Sequence, residues 1–101
     1  DVEDENGVPV DFSVSQNYPN PFNPSTTIKY SIPNHSLVQI RIYDITGSLV
    51  KTLFNAEQIA GKYEVDWNGV DGASNHVATG IYFMQFRAGD YSNVIKMMLL
   101  K

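Results

Sequence analysis

Residues 26–42 read TTIKYSIPNHSLVQIRI, and in this stretch two runs of alternating apolar and polar side chains flank a short polar turn. Alternation with a period of two is typical of a strand that buries one face. The residues between the runs, Pro33 to Ser36, are those that turns prefer. We therefore predict two antiparallel strands whose inner faces consist of Ile28, Tyr30 and Ile32 in the first and Val38, Ile40 and Ile42 in the second.

The same alternation continues downstream with turn residues between the runs. Thr46-Gly47 predicts a hairpin turn, and a third strand is expected over residues 48–54. In that strand Val50 and Leu53 are out of phase with each other, which predicts a β-bulge or a mixed environment. Residues 55–61 are predicted to be a connection in which a helical turn can form.

Two further runs complete the pattern. Tyr63, Val65 and Trp67 share one face, which places the only tryptophan inside as the largest core residue. After a polar loop over residues 68–80, an inner face consisting of Tyr82, Met84 and Phe86 is expected, and residues 88–90 turn the chain into the last strand. About seven short strands at this spacing predict an all-β fold, an immunoglobulin-like antiparallel β-sandwich.

The charge is concentrated at the start of the chain. Five of the eleven acidic residues lie within residues 1–11, whereas the rest of the chain has seven basic and six acidic residues. We interpret residues 1–11 as an acidic linker to a preceding domain and residues 12–101 as one folded domain, with a short edge strand near Phe12 to Val14. Any export signal at the N-terminus would then lie on a longer precursor.

The composition also argues against several classes of partner. The chain has no cysteine, no basic stripe and no apolar run long enough to cross a bilayer. We expect neither a nucleic-acid partner nor direct membrane insertion. An exposed strand edge can pair with a second copy of the chain, so a weak homodimer remains an alternative.

Residues 16–27 read QNYPNPFNPSTT, and three X-Pro steps in this segment are incompatible with a helix or a central strand. The segment is predicted to be a rigid, extended lead into the fold. Tyr18 and Phe22 are expected to plug one end of the sandwich, and a binding loop is the alternative.

The last strand departs from clean alternation, because Lys96 and Lys101 are the only polar breaks after Val94. If Ile95, Met97 and Leu99 face the core, then Val94, Met98 and Leu100 either receive cover or stay exposed. Cover would come from Phe12, Val14, Tyr18 or Phe22. Exposure would make the strand a recognition element for a receptor.

No constellation of residues indicates catalysis. His35 and His76 lie in separate polar loops without a nucleophile or a carboxylate at short spacing, so we expect no enzyme activity. The oxygen side chains of Asp66, Asn68 and Asp71 do not match the calcium-loop pattern, and no metal or other cofactor is expected.

A carbohydrate- or cell-surface-binding accessory module of a secreted enzyme is the alternative function. Sugar-binding modules stack their ligands on exposed aromatic rings. In this chain the alternation of inner and outer positions along the strands leaves four rings outside the predicted core. They are Tyr43, Phe54, Phe83 and Tyr91.

Several motifs carry a resemblance to a known family, from Gln16 to the end of the chain. They are QNYPNPFNPSTT at residues 16–27, YDITG at 43–47, AGKYEVDWNG at 60–69, TGIYF at 79–83 and IKMMLLK at 95–101. The chain resembles the type A C-terminal sorting domain of the bacterial type IX secretion system, one of a wider group of immunoglobulin-like domains that includes one in the flagellar-hook capping protein.

This resemblance implies a function and a set of partners. The domain would direct an N-terminal passenger across the outer membrane by the type IX translocon, via the periplasm. A sortase-like peptidase would then remove the domain, and the passenger would be secreted or attached to the cell surface.

The resemblance also implies roles for particular residues. Recognition is expected at Lys96, Met97, Met98, Leu99, Leu100 and Lys101. The structural motif residues are Asn20, Pro21, Phe22, Asn23, Pro24, Asp44, Gly47, Gly61, Tyr63, Trp67, Gly80 and Tyr82. Ser48 departs from the family, in which a basic residue often follows the hairpin glycine.

Overall fold

The computed structural model describes residues 2–101, which fold into two antiparallel sheets. The seven strands are β1 (Ser13–Val14), β2 (Thr26–Ile32), β3 (Ser36–Asp44), β4 (Leu49–Gln58), β5 (Gly61–Trp67), β6 (Gly80–Ala88) and β7 (Tyr91–Leu99). One sheet has the order β1-β2-β5 and the other the order β4-β3-β6-β7. The predicted all-β, immunoglobulin-like sandwich of about seven strands is confirmed.

The core lies between the two sheets and consists of the alternating apolar residues identified above. Those of β2, β3 and β6 are buried, and Tyr30 of one sheet packs against Phe86 of the other with ring centroids 5.0 Å apart. Trp67 is fully buried, as predicted. Tyr63 and Val65 are only half-buried, because β5 is an edge strand of the smaller sheet.

Strand β4 contains the irregularity that the sequence predicts. Ile40 pairs with Phe54 but Arg41 pairs with Thr52, so Leu53 is an extra residue in the ladder. A second register shift, between Ile42 and Tyr43, makes Val50 extra as well. Both side chains pack against the core, which explains why they fall out of phase in the sequence.

The predicted connection over residues 55–61, with its helical turn, is wrong for most of its length. Strand β4 continues to Gln58, and Asn55 to Gln58 pair with the first residues of β3. Cross-strand pairing therefore overrides the weak local preferences of this polar segment. Residues 59–60 alone make the turn into β5.

Residues 2–10 form a small, mostly exposed hairpin. Glu3 bridges to Pro9, and the Val10 N–H donates a hydrogen bond to the Val2 carbonyl at 3.0 Å. The Glu3 carboxylate also pairs with Lys62 on β5. The segment is thus ordered against the sandwich, and its role as a linker that ends at residue 11 stays a prediction.

Three five-residue turns of the molecule share one geometry. Each begins with an aspartate whose carboxylate accepts hydrogen bonds from the N–H groups of the third and fifth residues. The fourth residue has a positive φ, of 82° at Gly7, 85° at Gly47 and 65° at Ser74. Such a backbone favours glycine, so the glycines of the first two turns are explained by conformation alone.

The strands give the sandwich two distinct ends. The C-terminal end is formed by residues 20–25, the β3–β4 turn, the loop over residues 68–79 and the last residues of the chain. The N-terminal end carries the 2–10 hairpin with the turns at 33–35, 59–60 and 89–90. Within residues 2–101 there is no helix of the length and apolarity needed to cross a membrane.

Candidate recognition site

Most residues of the family pattern meet at the C-terminal end, although they are scattered along the sequence. Gly61 and Tyr63, at the start of β5, lie at the N-terminal end instead. The residues at the C-terminal end are Asn20, Pro21, Phe22, Asn23, Pro24, Asp44, Gly47, Trp67, Gly80, Tyr82 and Lys96 to Lys101.

An aromatic cluster forms the floor of this end. The Trp67 ring lies 5.5 Å from Phe22 and 5.2 Å from Tyr82, measured between centroids. The Trp67 indole N–H donates to the Val70 carbonyl at 2.9 Å, and the Tyr82 hydroxyl donates to the Ala78 carbonyl at 2.6 Å. The cluster therefore also anchors both ends of the long loop.

The surroundings of the Tyr82 hydroxyl change its pKa. Burial raises the pKa of Tyr82 above its usual value, and the nearby Asp44 carboxylate raises the pKa further. Tyr82 thus stays neutral and donates its hydrogen bond. Tyr63 bonds to the Ile59 carbonyl at 2.6 Å in the same way, so both motif tyrosines bond to the carbonyl four residues earlier, one at each end.

The proline segment, residues 16–24, runs along the outer edge of β7. The Phe22 N–H donates to the Met98 carbonyl at 2.9 Å, and the Leu100 N–H donates to the Phe22 carbonyl at 3.0 Å. The Asn20 side-chain oxygen accepts from the Met98 N–H at 3.0 Å, and the Gln16 amide donates to the Lys96 carbonyl at 2.7 Å. The segment therefore fixes the backbone of the last strand.

Phe22 is buried and plugs this end of the sandwich, as predicted, but the same prediction is wrong for Tyr18, which is 81% exposed. Tyr18 exchanges two backbone hydrogen bonds of 2.9 Å with Thr27, and this pairing turns its ring outward. The adjacent Asn17 takes the inner position, where its amide group donates to the Thr26 hydroxyl at 3.0 Å.

The last strand has one buried face and one exposed face. Ile95, Met97 and Leu99 belong to the core, whereas Val94, Met98 and Leu100 are 54%, 36% and 46% exposed. The proline segment bonds to the edge of the strand, so the exposed side chains keep their access to solvent. Of the residues predicted for recognition, Lys96, Met98, Leu100 and Lys101 are thus accessible and Met97 and Leu99 are buried.

The β3–β4 turn adds a fixed charge at the same end. The Asp44 carboxylate accepts from the Thr46 hydroxyl at 2.6 Å and from the N–H groups of Thr46 and Ser48. These bonds, that of Thr46 first, lower the pKa of Asp44. The roles of Asp44 and Gly47 are consistent with holding this turn.

The other polar candidates have local structural contacts. Asp66 accepts from the Thr27 hydroxyl at 2.6 Å, and Asp71 caps the turn that ends at Asn75. The Nε2 atom of His35 lies 3.4 Å from the Oε1 atom of Glu57 on the surface. Among residues 2–101 no three His, Cys, Asp or Glu side chains are arranged to hold a metal ion.

The four rings considered for sugar binding are half-buried. Phe54 and Tyr91 pack against the core, and Tyr91 stacks on Phe12 with centroids 5.5 Å apart. Tyr43 and Phe83 face each other across β3 and β6. This arrangement does not favour a platform of four exposed rings.

Sequence reasoning missed Gln16 and Asn17 among the polar residues that hold the proline segment, and it identified Asn20 only through the family resemblance. The side chains of Gln16, Asn17 and Asn20 bond to residues far along the chain or to the segment itself. Their only signal is the clustering of amide side chains beside prolines, which also fits an ordinary turn.

Comparison with known families gives a match that spans most of the chain. Residues 16–100 match the family described as the secretion system C-terminal sorting domain. The protein is an immunoglobulin-like sandwich of the sorting-domain class, and it belongs to this family. The predicted resemblance is confirmed, and the function is that of a C-terminal sorting signal for type IX secretion.

Solved structures show the same fold. PorU of Porphyromonas gingivalis, described as latent and dimeric, is 18% identical with a TM-score of 0.69, over 89% of this chain and 9% of PorU. PorZ of the same organism, described as an essential surface component of the type IX secretion system, is 27% identical with a TM-score of 0.57, over 89% of this chain and 11% of PorZ. The chain thus spans about a tenth of each.

A search of curated proteins gave no match. Family membership alone implies attachment to an N-terminal passenger, processing by the type IX machinery and export to the cell surface or beyond. Sorting-signal domains of this family are generally non-catalytic.

Proposed function

We propose that the type IX translocon recognises a passenger protein through the C-terminal end of this sandwich. The observation that carries the proposal is the two-faced last strand, whose buried residues Met97 and Leu99 fix the exposed Met98 and Leu100 in place. Lys96 and Lys101 add positive charge beside them. We place recognition on these four exposed side chains, with Met97 and Leu99 as their anchors.

The bonds from the proline segment support this proposal. Because Asn20 and Phe22 hold both backbone groups of Met98, the backbone that carries the exposed side chains is fixed before a receptor binds. Preorganisation of this kind reduces the entropy that binding would otherwise lose.

The passenger and the machinery would act at opposite ends of the molecule. The hairpin of residues 2–10 is mostly exposed and lies at the N-terminal end. We propose that the passenger precedes this hairpin and that a sortase-like peptidase cleaves within residues 1–11 after transport through the periplasm. The passenger is then released or attached to surface lipopolysaccharide, and the domain itself performs no catalysis.

We also predict that self-association through a strand edge is weak. The edge of β7 already pairs with Phe22 near its C-terminal end, which removes part of that edge from pairing with a second copy.

The test is export of a reporter fused to the N-terminus of this chain. Deletion of Lys96 to Lys101 is expected to leave the reporter in the periplasm, whereas the complete chain delivers it to the surface or the medium. Normal export of the deleted fusion would contradict the proposal.

Because the deletion also removes core residues, a second variant separates folding from recognition. The double variant Met98→Ser, Leu100→Ser changes only exposed side chains, and it should impair export without lowering the thermal midpoint. The matched control Val10→Ser, Ile59→Ser changes exposed apolar residues at the N-terminal end and should export normally.

A further inference from the structure

The outer face of the four-stranded sheet carries an apolar strip that reaches the last strand. Leu49, Tyr43, Phe83 and Lys96 lie in one cross-strand row, and Ile81 pairs with Met98 in the next. Leu49 is 55% exposed, and Tyr43, Phe83 and Ile81 are half-buried. The strip thus joins the exposed face of β7 to residues on all three other strands.

The outer face of the other sheet differs in character. Because Ile28 and Tyr30 of β2 face the core, the residues between them face outward, and their cross-strand partners do the same. The side chains on that outer face are Ser13, Thr27, Lys29, Ser31, Lys62, Glu64 and Asp66. An apolar outer face is therefore a property of one sheet and does not follow from the fold.

The charged side chains within the face of the strip are basic, whereas the carboxylates of Asp44 and Asp71 lie at its rim beside Leu49. Arg41 lies in the row beside Tyr43, with Gln85 and Val94 as its neighbours across the sheet, and Lys96 ends the row of Phe83. In the described chain, the outward carboxylate of this face is Glu57, opposite Leu37 near the N-terminal end. Asp44 at the rim is engaged by the donors of its own turn.

We propose that this face, defined by Leu49, Tyr43, Phe83, Ile81 and Met98, docks on a protein of the export machinery. The matching surface of that partner is apolar, with carboxylates placed opposite Arg41 and Lys96. This inference rests on the proposed function and extends its recognition site from the chain end across the sheet.

The charge pattern favours a different protein over a second copy of the chain. Two copies docked by this face would each bring Arg41 and Lys96 to the interface, whereas the nearby carboxylates, Asp44 and Asp71, lie at the rim and accept hydrogen bonds within their own turns. The backbone groups of Met98 in β7 are already bonded to the proline segment and cannot pair with a partner's strand. A partner would therefore contact this face through side chains.

Charge reversal in the reporter fusion tests the inference while the chain end stays intact. Arg41→Glu is expected to lower the exported fraction about tenfold, because the reversed charge would repel the carboxylates of the partner. Lys29→Glu on the other outer face is the matched control and should export within about twofold of the unchanged fusion, as for a charge outside the interface.

A second pair of variants tests the apolar contact. Leu49→Ser should lower export severalfold, and Ile59→Ser, which is also an exposed apolar-to-serine change, should not. Thermal midpoints of all the fusions establish that the domain remains folded.

The outcomes separate this inference from the proposed function. If deletion of Lys96 to Lys101 blocks export while the Arg41→Glu and Leu49→Ser variants export normally, the docking face is wrong and the sorting role stands. If the deleted chain is also exported normally, both proposals fail. Concentration-dependent dimers of the fusion that disappear in Leu49→Ser would assign the face to a second copy and overturn the inference.

Discussion

Both ends of the sandwich carry aromatic rings, but these rings are buried to different degrees. At the C-terminal end, Phe22, Trp67 and Leu99 are fully buried, and the proline segment ties the last strand to the body of the domain. At the N-terminal end, Phe12 and Tyr91 are half-buried and stack beside an exposed hairpin.

This difference separates two requirements of the proposed function. A recognition surface gains from a rigid support, because little order is then lost on binding. A segment that must be reached by a peptidase gains from exposure and low local stability. The C-terminal end provides a rigid support, and the hairpin of residues 2–10 is mostly exposed.

The largest expected effect comes from a substitution in the aromatic cluster. Trp67→Ala is expected to lower the free energy of unfolding by about 3–5 kcal/mol, since it leaves a large cavity among Phe22, Tyr82 and the long loop. Phe12→Ala at the other end should cost about 1 kcal/mol, because the ring is half-buried. Chemical denaturation of both variants measures the difference, and equal losses would show that the two ends are equally well packed.

A smaller effect is expected at two matched turns. Gly47 and Gly7 have nearly the same positive φ in turns of the same design. Gly47→Ala should cost about 1–2 kcal/mol, the usual penalty of a left-handed backbone for a residue with a Cβ. Gly7→Ala should cost less than about 0.5 kcal/mol, because the hairpin can open without unfolding the sandwich.

Hydrogen exchange of the complete chain provides the control for this pair. Amides of residues 2–10 should exchange faster in Gly7→Ala, and amides of β3 and β4 should exchange faster in Gly47→Ala. If Gly7→Ala lowers the free energy of unfolding as much as Gly47→Ala does, the hairpin is an integral part of the domain.

Much of the fold could be predicted from local pattern. The alternation in β2, β3 and β6 identifies their buried faces correctly, because each strand buries one side against the other sheet. The out-of-phase residues Val50 and Leu53 mark the two irregularities of β4. In both cases the signal lies within a few residues of the structure that it predicts.

What could not be predicted depends on contacts distant in sequence. Asn55 to Gln58 have no strong strand preference and become a strand by pairing with β3. The outward position of Tyr18 follows from its pairing with Thr27, and the role of Asn20 follows from its bond to Met98. The apolar strip of the outer face likewise exists only once four strands are placed side by side.

Crosslinking during export tests most directly the claim that the C-terminal end is what the machinery recognises. A photoreactive amino acid is placed at Leu100 in one reporter fusion and at Ile59, an exposed residue of the N-terminal end, in another. The fusions are irradiated while export is in progress. We expect Leu100 to crosslink to a component of the translocon and Ile59 to give no such product. Crosslinking from Ile59 but not from Leu100 would contradict the claim.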